Sequence, residues 1–110
     1  MDDRTPEKVF ERRWALAVLD QVVNRLQAEM DAAGKAEQFR VLKEFVAGTG
    51  EGLAYAEVAA KLQMNQGALR TAVHRLRRRY REILREEIAV TVGSPDEVED
   101  EIRHLFLSLS

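Results

Sequence analysis

Residues 53–85 read LAYAEVAAKLQMNQGALRTAVHRLRRRYREILR, and this stretch decides the fold. Tyr55, Val58, Ala59 and Leu62 recur at helical spacing and predict a brief helix that ends before Met64. Gln63 to Gln66 leaves room only for a tight turn. Asn65 suits the start of a second helix, because its side-chain oxygen can accept from a free backbone N–H of the next turn. From Gln66 onward, Leu69, Val73, Leu76, Tyr80 and Ile83 follow one another in steps of four and three and, with Leu84 beside Ile83, draw a narrow apolar stripe. Thr71, His74, Arg75, Arg78, Arg81 and Arg85 fall on the opposite side, and Arg70, Arg77 and Arg79 flank the stripe.

Charge is concentrated in the same place. The chain has 110 residues and a net charge of −2, which taken alone argues against a nucleic-acid partner. Between residues 70 and 85, however, seven arginines face one acid, Glu82, and the remaining residues therefore carry eight net negative charges. Binding responds to the local field rather than the total. A short helix, a tight turn and a second helix with a basic outer face fit a DNA major groove, whose walls are phosphate and whose floor offers acceptors that arginine meets two at a time. Gly67 and Ala68 are small enough for close approach to the first helix or to a DNA backbone. The plainer alternatives are a solvated arginine face and an RNA-binding tail.

At this length one compact domain with a modest core is expected, residues 1–110, with segments 5–47, 53–91 and 94–110. Met1 to Arg4 reads as a frayed terminus. Thr5 and Pro6 read as N-cap and first residue of a helix reaching about Ala32, with Phe10, Trp14, Ala17, Val18, Val22, Leu26 and Met30 on its buried side and Gly34 ending it. A second helix spans Ala36 to Ala47 and carries Phe39, Leu42, Phe45 and Val46. The run Gly48-Thr49-Gly50-Glu51-Gly52 superficially resembles a phosphate-cradling loop, but it lacks the lysine and hydroxyl residue and follows a helix, so it reads as a connector. The basic helix is expected to continue to about Thr91, approximately 40 Å in all, and to close at Gly93. Ser94-Pro95-Asp96-Glu97 then reads as a capping box opening a last helix, with Val98, Ile102, Leu105, Phe106 and Leu109 on one face and acids in its first turn. This acidic, amphipathic helix either covers the core or lies near the arginines and docks a partner.

The order Tyr55, Glu57-Val58-Ala59, Leu62, a short turn, Gly67-Ala68-Leu69 and His74-Arg75-Leu76-Arg77 resembles region 4 of bacterial sigma factors, particularly the extracytoplasmic-function (ECF) group. The run Phe10 to Leu16 and the last helix are similar to the corresponding parts of an ECF-like subgroup. The resemblance implies recognition of the −35 element of double-stranded promoter DNA, docking on the β flap of core RNA polymerase, and a bacterial cytoplasmic setting, and it leaves room for an anti-sigma or other regulatory partner. Two departures stand out. Gln63 occupies the place of a turn glycine, where positive φ strains other residues, and Ala68-Leu69 replaces a common Thr-Val, which bears on promoter preference. Nothing corresponds to the family's region 2, so a fragment of a longer sigma factor is expected, with a free-standing, dimeric regulator as alternative.

The expectation is thus an all-α, five-helix domain containing a helix-turn-helix, a long recognition helix and an extra C-terminal amphipathic helix. Its DNA-binding set is Asn65, Gln66, Arg70, Thr71, His74, Arg75, Arg78 and Arg81. Arg75, Arg78 and Arg81 are assigned to phosphates, and Gln66, Arg70, Thr71 and His74, nearer the helix start, to base edges. Enzymatic chemistry is not expected. His74 and His104 lie far apart, no acid-histidine spacing suggests a metal site, no nucleophile elbow is present, and no cofactor motif appears. The absence of cysteine excludes disulfides and thiolate metal sites. No signal peptide or long apolar run points to a membrane. A helical adaptor with incidental arginines is the reading from another class.

Overall fold

The computed structural model describes residues 5–46 and 55–110. The terminal tetrapeptide, Ala47, the glycine-rich connector and Leu53 lie outside the described residues. Among those described, the fold is all-α, with no strand: α1 (Pro6–Ala32), α2 (Ala36–Val46), α3 (Tyr55–Lys61), α4 (Gln66–Ala89), a 3-10 turn (Pro95–Glu97) and α5 (Val98–Ser108). No helix among them is long and apolar enough to cross a membrane.

Local signals set most of the helix ends. The Lys8 N–H donates to Thr5 Oγ1 at 3.2 Å, satisfying an orphan donor of the first turn. At the other end of α1, Lys35 N–H donates to Met30 O at 2.8 Å and Gly34 N–H to Asp31 O at 3.1 Å. This is a Schellman motif, and it requires the left-handed φ of +73° that Gly34 adopts without a Cβ penalty. The end of α4 departs from expectation. It stops at Ala89 rather than near Thr91, because the Thr91 N–H and hydroxyl both donate to Ile88 O, at 2.9 and 2.8 Å. Gly93 belongs instead to the next cap: its N–H donates to Glu97 Oε2 at 2.7 Å, and the Ser94 N–H reaches the same oxygen at 3.3 Å. That is the Glu97 arm of the expected capping box.

The chain contacts form two compact units, residues 1–24 with 82–110 and residues 25–81. In the second unit Leu26, Phe39, Leu42, Phe45, Val58, Ala59, Leu69, Val73 and Leu76 are buried, as the helical spacing of α2, α3 and α4 predicts. In the first unit the core is Ala15, Val22, Ile83, Leu84, Ile88 and Leu105. Here the expected face of α1 is corrected. Phe10 is 70% exposed, Ala17 is exposed and Trp14 is half-buried, because in this half of α1 the buried position is Ala15, one residue off the aromatic line; farther along, Val22 and Leu26 are buried as expected. Trp14 packs on the His104 ring instead, centroids 5.7 Å apart. Phe106 of α5 is likewise 50% exposed, and Leu105 alone is fully buried on that helix.

Candidate nucleic-acid interface

The turn between α3 and α4 is built from two reciprocal devices. Met64 N–H donates to Ala59 O at 2.8 Å and Gln63 N–H to Ala60 O at 3.2 Å, the same hydrogen-bond pattern that closes α1. Its left-handed residue is Gln63, with φ +57°, the strain expected from the missing glycine. One residue later, Asn65 Oδ1 accepts from Ala68 N–H at 2.7 Å, and Asn65 O accepts from Leu69 N–H at 3.0 Å, so α4 starts as its N-cap predicts. Only Leu62, Gln63 and Met64 separate the end of α3 from the N-cap of α4.

All eight expected site residues, Asn65, Gln66, Arg70, Thr71, His74, Arg75, Arg78 and Arg81, are exposed. Asn65, Thr71 and Arg70 have their polar groups partly committed, and Arg78 too has a partner. Asn65 spends its carbonyl oxygen on the cap, leaving its amide donors outward. The Thr71 hydroxyl donates to Gly67 O at 3.1 Å, leaving its lone pairs available. Arg70 lies over the Tyr55 ring, its Cζ 5.2 Å from the centroid, and Tyr55 in turn stacks on Phe45 with centroids 4.8 Å apart. That stack preorganises Arg70 near the helix start, where a base-reading side chain needs a fixed rotamer.

The flanking arginines have structural tasks that residue type alone concealed. Arg77 Nε donates to Phe45 O at 2.8 Å and so satisfies a carbonyl in the last turn of α2, where a cation also meets the negative end of the helix dipole. On the other flank Arg79 holds Glu29 through two bonds, Nε to Oε1 at 2.9 Å and Nη2 to Oε2 at 3.0 Å. This fork keeps the Glu29 carboxyl below its ordinary pKa, the Arg79 hydrogen bond being the leading cause. Arg85, expected on the outer face, pairs with Glu99 of α5 at 3.0 Å, so the acidic helix does meet one arginine.

Of the two reasons for small residues here, close approach to α3 does not account for Gly67, where a Cβ would meet only Asn65 Oδ1, at 3.4 Å. Ala68 lines a cavity beside α4 together with Ala72, Thr71 and Arg75. Sequence spacing held a signal for that cavity, since alanines four residues apart on a flank with arginines leave room that larger side chains would fill. Among the described residues no cluster of three His, Asp or Glu side chains is placed to hold a metal ion.

The class defined by this geometry is a helical domain carrying a helix-turn-helix with a basic outer face on its second helix. No known family model, curated protein or solved structure matches the chain.

Proposed function

We propose that the chain binds double-stranded DNA through α4, in the manner of a sigma factor's region 4 at the −35 promoter element, with core RNA polymerase as its second partner. The observation that carries this reading is the tight, doubly capped turn from α3 into a helix whose outer face holds Gln66, Arg70, Thr71, His74, Arg75, Arg78 and Arg81, every one exposed. Arg75 and Arg81 meet phosphates, and Arg70, fixed by Tyr55, leads the residues that reach base edges. Neither Arg77 nor Arg79 belongs to this set, because their guanidinium groups serve the fold.

Fluorescence-anisotropy titration of mixed-sequence duplexes, from low to physiological salt, tests the proposal. Affinity is expected to fall steeply with salt, and Arg75→Ala/Arg81→Ala is expected to reduce the salt slope by about two units, one for each lost phosphate contact. Arg70→Ala and Thr71→Val are expected to change preference among sequences instead. No binding at low salt would overturn the reading in favour of a protein-binding adaptor.

A free-standing regulator is the second reading. Phe10, at 70% exposure, and Leu107, at 66%, are the side chains through which such a regulator would self-associate. Sedimentation equilibrium separates the two: a dimer supports the regulator, and a monomer supports the sigma-like subunit.

A further inference from the structure

The flank of α4 opposite Arg77 carries Ala68, Ala72, Arg75 and Arg79. Two small residues at successive turns leave the space between this flank and the end of α1 unfilled, and a cavity of about 560 Å³ opens there. Leu26 and Met30 of α1, Met64 of the turn, and Ala68, Ala72 and Leu76 of α4 form its apolar walls. The size falls within the range of small-molecule sites, roughly 300–1,000 Å³. Met30 and Met64 are half-buried, unbranched and polarizable, so they can adapt to an aliphatic guest.

The charge around these walls is one-sided. Lys35 and Arg75 both line the cavity and both are exposed. The carboxylate that also lines it, Glu29, is committed to Arg79 through two hydrogen bonds, three turns along α4 from Ala68. Two cations beside an apolar slot select a guest with an anionic head and an apolar body. We propose that this groove binds a small amphipathic anion, a carboxylate on an unbranched aliphatic tail, with the tail against Met30, Met64 and Ala72 and the head between Lys35 and Arg75. The site shares Arg75 with the proposed DNA face, but its test is made without DNA.

Methyl-labelled methionine NMR on the full chain tests it, with decanoate as probe, kept below its micelle concentration. The Met30 and Met64 methyls report the groove directly, and Met1 serves as reference for non-specific association. The expected result is a saturable shift of Met30 and Met64 with Met1 unmoved, at least about tenfold weaker binding of decyltrimethylammonium, and at least about tenfold weaker binding of decanoate to Lys35→Gln/Arg75→Gln. Ala72→Leu, which fills the slot, is expected to abolish saturation. Both substituted cations are exposed, so the double variant keeps its helical circular dichroism and remains informative if Ala72→Leu fails to fold. Absence of saturation at Met30 and Met64, equal binding of the cationic analogue, or undiminished binding by Lys35→Gln/Arg75→Gln would each overturn the proposal.

Discussion

Arg75 and Arg77 stand two positions apart on α4 and are both exposed, but they differ in what their guanidinium groups meet. Arg75 is exposed on the outer face, beside Thr71 and at the mouth of the cavity. Arg77 turns to the flank and satisfies the Phe45 carbonyl at the end of α2. A rotation of about 200° between them, two steps of 100°, carries the same residue type from the outer face to a flank where it serves the scaffold. The difference teaches that the arginine count of this helix overstates its binding surface, since Arg77, Arg79 and Arg85 each serve a carbonyl or carboxylate of the fold.

Removing each set of arginines in turn separates their roles. Arg75→Ala/Arg81→Ala is expected to weaken duplex binding about ten- to a hundredfold at moderate salt, with the urea midpoint unchanged. Arg77→Ala is expected to do the reverse, destabilising by about 1–2 kcal/mol because a helix-end carbonyl loses a charged donor, with a much smaller effect on DNA. Equal loss of DNA affinity in both variants would erase the distinction.

The two Schellman turns sharpen the same point at the level of the backbone. Gly34 and Gln63 close α1 and α3 with matching hydrogen bonds, but only Gly34 does so without steric cost at positive φ. Gly34→Ala should therefore destabilise by about 1 kcal/mol, whereas Gln63→Gly should stabilise by about 0.5 kcal/mol once glycine's greater unfolded-state entropy offsets part of the relief. Thermal melts of the two variants check the signs. If Gln63→Gly stabilises yet weakens DNA binding, the glutamine side chain itself contributes to the interface.

The smallest expected effect concerns Glu29 and Arg79. Hydrogen bonding to Arg79 lowers the Glu29 pKa in the folded chain, so the pair's contribution is complete above the ordinary carboxylate pKa. It disappears as pH falls through the lowered value. Both side chains are more than a third exposed or close to it, at 43% and 34%, and solvent screening holds the effect below about 1 kcal/mol. Comparing urea midpoints of Glu29→Gln and the parent at neutral and acid pH measures it: the difference should shrink on the acid side.

Much of the architecture was legible because it rests on local rules. Thr5, Gly34, Asn65 and Glu97 act within a turn of their own position, and their caps sit where residue type places them. The stripe Leu69, Val73, Leu76, Ile83 and Leu84 is buried as its spacing requires. The N-terminal half of α1 departs from the expected face because aromatic size is a poor guide to direction: Phe10 and Trp14 share a line, but the inward position is Ala15. In the candidate site, the exposure of Thr71, His74, Arg75, Arg78 and Arg81 follows from helical phase, whereas the Tyr55 stack on Arg70 and the Arg77 bond to Phe45 do not.

Helix phase, most caps and the concentration of positive charge on α4 follow from residue order alone, since these depend on neighbours within a turn or two. Long-range packing settles which arginines are tied to the fold, that Ala15 rather than the aromatics turns inward in the first half of α1, and that Ala68 and Ala72 border a cavity. Those outcomes depend on what residues distant in sequence bring alongside: Phe45 to Arg77, Glu29 to Arg79, and Leu26 and Met30 to the open flank of α4.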